Sequence, residues 1–125
     1  MMAVRTPVLL DSGQSVIGDP TTVYQWQGLT FSGLDTGNPL SGMGWSDRSV
    51  QLAGTAGAGL NVVIEGSNDG VNWVTLKDPF ANPITFTTAG IAQVTEISRF
   101  IRPRVAGGDG TTNVNVTIVM STQRL

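Results

Sequence analysis

Carboxylates are the only side chains in this 125-residue sequence that offer general acid–base chemistry. The chain has two glutamates, Glu65 and Glu96, and seven aspartates, but no histidine and no cysteine. Without these two residue types there is no thiolate nucleophile, no serine–histidine relay and no Cys/His zinc site. Carboxylate and carbonyl oxygens would be the only ligands for a hard cation.

Most of the carboxylates already have a structural explanation. Asp69, Asp78 and Asp109 each lie in a turn sequence, where a side-chain oxygen that accepts backbone N–H groups accounts for them. Glu65 falls on the outward face of an alternating segment. A glycosidase needs two carboxyl groups roughly 5–9 Å apart, and nothing in the spacing indicates such a pair. We therefore predict that the protein is not an enzyme and has no catalytic residue, cofactor or metal.

The segments that position these side chains have the pattern of β-strands. Residues 60–65 and 113–120 alternate apolar and polar side chains, and no window keeps a helical period without a breaker. Pro103 cannot donate to a sheet and predicts an edge or a bulge at 99–105. Turn signals every ~8–12 residues favour an all-β fold, an antiparallel β-sandwich or jelly roll of about seven or eight strands. Shorter strand candidates lie at 23–26, 29–31, 49–52, 72–76, 84–87 and 99–102.

One turn carries a motif. Asn68, Asp69 and Gly70 separate two alternating segments and favour a hairpin, because Asp and Gly tolerate the positive φ of hairpin turns. The run from Ser67 to Trp73 also resembles the Asp box of sialidase-type propellers, although it is one residue shorter. That resemblance implies a structural turn formed by Asn68, Asp69, Gly70 and Trp73, with Trp73 in the core.

Two segments differ from the rest of the chain. Residues 1–20 form an extended N-terminal arm ahead of a sandwich domain at 21–125, and ordering it costs ~1–2 kcal/mol per residue unless its apolar side chains are buried. The arm therefore either folds over its own sandwich or lies on a neighbour. Residues 35–45 form a long irregular loop, of the kind that is usually functional. The interface residues predicted from these segments are Val4, Val8, Leu9, Leu10, Val16, Ile17, Leu40, Met43 and Trp45.

Charge is sparse. Charged residues make up 13% of the chain, with a net charge of −2, against an ordinary content of ~25%. Such a surface indicates extensive contacts, and guanidinium groups suit carboxylates across an interface. We therefore add Arg102 and Arg104, on one side of a strand, to the predicted interface. A nucleic-acid site would need more positive charge and more aromatic residues, and no apolar run reaches the ~20 residues of a membrane span.

Several segments form a recognisable series. They are RSVQ at 48–51, IEGSNDGVNW at 64–73, ITFT at 84–87, RFIRP at 99–103 and GGDGTT at 107–112. In this order they resemble small virion proteins of tailed bacteriophages, in particular the jelly-roll cement (decoration) proteins of icosahedral heads. The resemblance implies a structural protein made in the host cytoplasm and bound to the outer surface of the capsid. The implied partners are the major capsid protein, whose neighbouring subunits it bridges, and a second copy of the chain in a homodimer.

Two other functions fit the same sequence. The three tryptophans, Trp26, Trp45 and Trp73, offer flat faces for sugar rings, as in a carbohydrate-binding or host-adhesion module of a phage tail. That function would need two aromatic side chains exposed in one plane beside a polar groove. A tail-tube or head-completion component shares the composition but assembles into rings.

Overall fold

The computed structural model describes residues 4–11, 21–41 and 47–121. Within these ranges the chain forms strands and turns in two sheets. The prediction of an all-β sandwich is thereby confirmed. None of the described residues belongs to a helix long and apolar enough to cross a bilayer.

Twelve strands occur in the described residues, and seven of them have four residues or more. The predicted segments 72–76 and 84–87 each contain a strand of only two residues, whereas the strands at 8–11 and 90–94 were not among the predicted ones. In chain order the twelve strands are β1 (Val4–Arg5), β2 (Val8–Asp11), β3 (Thr21–Leu29), β4 (Thr36–Gly37), β5 (Leu40–Ser41), β6 (Asp47–Thr55), β7 (Asn61–Ser67), β8 (Val74–Thr75), β9 (Thr85–Phe86), β10 (Gly90–Val94), β11 (Phe100–Gly107) and β12 (Asn113–Ser121).

The strands divide into a five-stranded and a seven-stranded sheet. The five-stranded sheet is antiparallel, in the order β10-β6-β12-β3-β2. The seven-stranded sheet follows β1-β4-β11-β7-β8, with β5 paired to β11 and β9 paired to β7. Its β1–β4 pair is parallel, and its other pairs are antiparallel.

The core lies between the two sheets and follows from the period of two in the strands. Every second residue of β12 is buried, whereas the residues between them reach solvent to some degree. β7 and β11 supply the opposing apolar side chains, and Trp26 fills the interior from β3. The buried side chains from these strands are Val114, Val116, Ile118, Met120, Val62, Ile64, Ile101 and Val105.

Pro103 does not lie at an edge, so that alternative of the prediction was wrong, whereas the pairing of β11 with β7 does shift register between Val105 and Gly107. Pro103 lies buried in β11, between β7 on one side and β4 and β5 on the other. The N–H of Val105, two residues on, donates to Asp35 O on the β4 side, so the nitrogen of Pro103 faces the same way. There the pairing is interrupted, because β5 reaches Ile101 and β4 reaches Arg104. A proline is tolerated at this position because neither β4 nor β5 pairs with it, so its missing N–H leaves no backbone carbonyl of the sheet without a donor.

Residues 23–31 also differ from expectation, since they are not two strands joined by a turn. β3 runs unbroken from Thr21 to Leu29, and Gly28 is a bulge with a φ of 67°. Its N–H donates to Asn115 Oδ1 at 3.0 Å instead of to a backbone carbonyl. Glycine suits this position because it adopts positive φ at little cost.

Candidate interaction surfaces

Seven of the eleven predicted interface residues lie in the described part of the chain. The four others, Val16, Ile17, Met43 and Trp45, fall outside it. Leu40 lies on β5 and packs partly buried against the core, so little of it is displayed. The remaining six separate into an apolar group on the arm and two arginines on the seven-stranded sheet.

The apolar group lies at one edge of the sandwich. β1 ends the seven-stranded sheet and β2 ends the five-stranded sheet, and the two residues between them can span only ~7 Å. Both strands also pack beside β3. We call this apolar strip the arm edge. Its side chains and their exposed fractions are Val4 (57%), Val8 (44%), Leu9 (49%) and Leu10 (50%).

An ion pair fixes the arm to the sandwich. Asp35 is fully buried and accepts hydrogen bonds from the N–H and hydroxyl of Thr30, at 2.8 and 3.0 Å. Arg5 Nε donates to the same carboxylate at 3.0 Å, and Arg5 O accepts the N–H of Asn38 at 2.7 Å. A buried carboxylate is costly unless it is paired. Residues 4–11 are therefore held on their own sandwich with their apolar side chains turned outward.

Arg102 and Arg104 converge on Glu65. They lie on the outer face of β11, and their Nε atoms donate to Glu65 Oε1 and Oε2 at 3.1 and 3.0 Å. The two guanidinium groups cover the carboxylate, so Glu65 is 6% exposed although it points away from the core. The guanidinium carbon of Arg102 also lies 3.9 Å from the centroid of Trp73. A partner would therefore meet two arginines that already share one carboxylate within the chain, so that one of their two positive charges is neutralised.

The turn after β7 is tied together by Asp69. Its Oδ1 accepts the N–H groups of Val71 and Asn72 at 2.8 Å each, and the hydroxyl of Ser67 at 2.9 Å. These bonds favour the charged form, and they hold the pKa of Asp69 well below its ordinary value, with the Asn72 N–H as the largest cause. Gly70 adopts a φ of 78°, and β7 and β8 pair as a hairpin.

Two predicted turn residues have roles outside the hairpin. Asn68 Oδ1 accepts the N–H of Arg99 at 3.0 Å and joins the turn to the start of β11. Trp73 is half-buried on the outer face of the sheet, over Arg102. Its expected place in the core was wrong, because Trp73 has the same outward phase as Thr75, the cross-strand partner of Glu65.

A shallow pocket of about 300 Å³ lies beside this cluster. Its walls are Asn38, Pro39, Gly70, Trp73 and Phe100. The Arg99 guanidinium carbon lies 5.1 Å from the centroid of the Phe100 ring. Two half-buried aromatic rings and an amide thus share one depression, and no local sequence pattern predicts this grouping.

A second aspartate turn ties two loops together at one end of the sandwich. Asp109 Oδ2 accepts the N–H of Ala58 at 2.7 Å, and its Oδ1 accepts the N–H and hydroxyl of Thr111. These contacts lower the pKa of Asp109 to about 2, with the Ala58 N–H as the largest cause. Among the described residues, no three His, Cys, Asp or Glu side chains lie close enough together to hold a metal ion.

One arginine lies inside the sandwich. Arg48 is 2% exposed at the end of the buried stripe of β6, and its guanidinium donates to the backbone carbonyls of Glu96 and Ser98. Burial lowers its pKa from the ordinary value of 12.5. Arg48 thereby fastens the segment between β10 and β11 to the five-stranded sheet.

The comparisons with known proteins show the fold alone. No protein-family profile and no curated protein sequence matches this chain. A solved structure titled SPBc2 prophage-derived protein YomS is similar, with a TM-score of 0.54 and 8% sequence identity. The alignment covers 84% of this chain and 97% of that one.

Proposed function

We propose that this chain is a structural protein of a bacteriophage virion, specifically a capsid cement protein. It binds the outside of the head, bridges neighbouring major capsid subunits and stabilises the shell without catalysing a reaction. The observation that carries the proposal is the arm edge, an exposed apolar strip on strands that are fixed in place. The sequence segments that resemble cement proteins, and the fold shared with a prophage-derived protein, support the same function.

The arm edge has the properties of a docking surface. Natural sheet edges are usually protected by charged residues, because an exposed apolar edge invites pairing with another chain. Here the strip carries four large aliphatic side chains, each between 44% and 57% exposed. The edge is also preorganised, since the Arg5–Asp35 pair holds it in position. A preorganised apolar strip binds with a smaller ordering cost than a free arm.

Stabilisation of a shell by such a protein follows from mass action. A ligand that binds the assembled shell and not its separated subunits stabilises the shell by RT ln(1 + [L]/Kd). Many copies on one shell add up, because each copy that bridges two subunits converts a second contact into an intramolecular one. Modest affinity at each arm edge is therefore enough.

Copy number in purified virions tests the proposal. The phage that encodes the chain is grown with the wild-type gene or with a Val4→Thr/Leu10→Gln variant, and the copies per particle are counted by quantitative mass spectrometry. We expect wild-type copies comparable in number to the major capsid subunits, and roughly tenfold fewer for the variant, since about 1.4 kcal/mol of lost apolar contact corresponds to tenfold in affinity.

Phe80→Gln is the matched control, because Phe80 is 84% exposed but lies far along the chain from the arm. It should leave the copy number unchanged. A handful of wild-type copies per virion would indicate a tail or portal component instead, and absence of the chain from virions would overturn the proposal. Deletion of the arm is a poorer test, because it removes Arg5 and leaves Asp35 buried without its cation.

A second candidate is a carbohydrate-binding module of a phage tail, and the pocket of Trp73 and Phe100 favours it. Two aromatic rings beside the side chain of Asn38 match the arrangement that stacks on a sugar ring. A glycan array with the purified protein tests it. A reproducible signal that Phe100→Ala abolishes, while Phe80→Ala does not, would support this function, and a blank array would exclude it for the glycans displayed.

A further inference from the structure

The outer face of the five-stranded sheet is a broad surface whose centre carries no charge, with Asp47 in the same outward phase at one end of β6. Its side chains alternate with the buried ones and align in register across all five strands. We call it the amide face. Its members among the described residues are Ile91 and Gln93 on β10, Ser49, Gln51 and Ala53 on β6, Asn115, Thr117 and Val119 on β12, Val23 and Gln25 on β3, and Val8 on β2.

The side-chain composition of the amide face is that of a protein interface and not that of a solvated surface. Glutamine amides both donate and accept hydrogen bonds, and Gln25 already uses this capacity towards Thr117 Oγ1 at 3.0 Å and Gln27 at 2.7 Å. Interface centres are depleted in Lys, Glu and Asp, and their rims are polar. Asp47, at the end of β6, lies at the margin of the face.

The size of the face suits a protein partner. Five strands ~4.8 Å apart are about 24 Å wide, and the nine-residue central strands are about 30 Å long, so the face covers at most roughly 700 Å². Stable complexes bury about 600–1,000 Å² on each partner. A small ligand would use a pocket, whereas this face is broad and is formed by one continuous sheet.

We infer that the amide face binds a second copy of this chain across a two-fold axis, face to face. Self-pairing suits a surface whose groups donate and accept equally, because each amide can bond with whichever polar group of the partner the two-fold axis places opposite it. Because Asp47 lies at one end of the face, the central rows are spared the repulsion that identical charged surfaces would suffer. The proposal does not depend on the cement function, since it concerns the purified chain.

Charges placed at the centre of the face test the proposal. Thr117 lies on the middle strand β12 and in the middle row, between Gln51 and Gln25. A buried charge of either sign opposes association, through desolvation and through its copy in the partner. We expect the wild-type chain to sediment as a dimer at about 100 µM, and Thr117→Lys and Thr117→Glu each to raise the dissociation constant at least ~100-fold.

Thr85→Lys and Thr85→Glu are the matched controls. Thr85 is exposed on β9, in the other sheet, and should tolerate both changes without loss of the dimer. Circular dichroism of all four variants verifies that each is folded, and Gln51→Lys gives a second charge on the face if Thr117 variants unfold. A monomeric wild-type chain at this concentration, or folded Thr117 and Gln51 variants that dimerise normally, would overturn the inference. Virion copy number, measured separately, would then still decide the cement function.

Discussion

The outer face of the seven-stranded sheet carries Glu65 beneath two arginines, whereas the centre of the amide face on the opposite side carries glutamine, threonine and serine without charge. On the charged face the ionic groups satisfy one another, and Glu65 is 6% exposed. On the amide face several polar groups remain directed outward. The difference teaches that Glu65, Arg102 and Arg104 are engaged with one another within the chain, whereas the polar groups of the amide face remain for the proposed dimer.

The largest loss of stability is expected from removing Glu65, the carboxylate at the centre of the charged face that it forms with Arg102 and Arg104. Glu65→Ala leaves Arg102 and Arg104 side by side without their carboxylate, and breaking a buried ion pair costs ~3–5 kcal/mol. Because these arginine side chains are 21% and 41% exposed, we expect a smaller loss, about 2–3 kcal/mol of unfolding free energy by urea titration. Lys77→Ala is the control, since the Lys77 side chain is exposed. Equal losses in the two variants would contradict the structural role of the charged face.

The next largest loss of stability is expected from breaking the ion pair that holds the arm. Arg5→Ala removes the cation beside buried Asp35 but leaves the two hydrogen bonds from Thr30, so we expect a loss of about 1–2 kcal/mol. The N–H of Asn38, which donates to Arg5 O, should then exchange faster with deuterium, because β1 is no longer fastened. Arg99→Ala, at an exposed arginine outside this contact, should change neither quantity.

Acid should weaken the stabilisation that Asp109 contributes in its turn, whereas it should leave the contact proposed for the amide face unchanged. The pKa of Asp109 falls from an ordinary 3.8 to about 2 in the folded protein. The stabilisation by its charged form is therefore complete above pH 3.8, and it is lost as the pH falls from 3.8 through about 2. Urea midpoints of the wild type and Asp109→Asn should differ at pH 7 and converge over that interval.

The central row of the amide face, with Gln51, Thr117 and Gln25, carries no titratable group, so the dissociation constant of the proposed dimer should stay constant between about pH 8 and pH 5. Sedimentation velocity at several pH values checks this expectation. A dimer that dissociates steadily across that range would place ionisable groups in its contact and would argue against the amide face.

The smallest effect on stability is expected from Gln51→Ala. Gln51 is exposed on the amide face, and such substitutions usually change the unfolding free energy by less than about 0.5 kcal/mol. The same substitution should weaken the proposed dimer several-fold, because Gln51 lies next to the central Thr117. If Gln51→Ala changed the unfolding free energy but left the dissociation constant of the dimer unchanged, Gln51 would be a structural residue and not part of a dimer contact.

Much of the fold was predictable because its signals are local. The period of two in residues 113–120 places alternate side chains in the core, and this strand became β12. The hairpin after β7 follows from Asp69 and Gly70, whose preferences act within a few residues. Pro103 and Gly28 misled the prediction for the same reason. Both look like interruptions locally, but a gap between the neighbouring strands β4 and β5 accommodates Pro103, and Gly28 forms a bulge within β3 itself.

The interaction surfaces were less predictable. The apolar arm residues stood out by composition alone, and the described ones form the arm edge. The Trp73–Phe100 pocket and the amide face had no such signal, because their residues come from separate strands. Glutamines scattered over three strands have no common pattern along the chain, and only register brings Gln51, Thr117 and Gln25 into one row.

The sequence by itself determined an all-β chain with tight aspartate turns and little charge, because alternation and turn preference are properties of neighbouring residues. Tertiary structure decided that Arg5 neutralises Asp35, thirty positions away, and that Glu65 accepts from two arginines on another strand. Such contacts depend on which strands become neighbours and in which register. That choice is made by the packing of both sheets around one core, and no single segment encodes it.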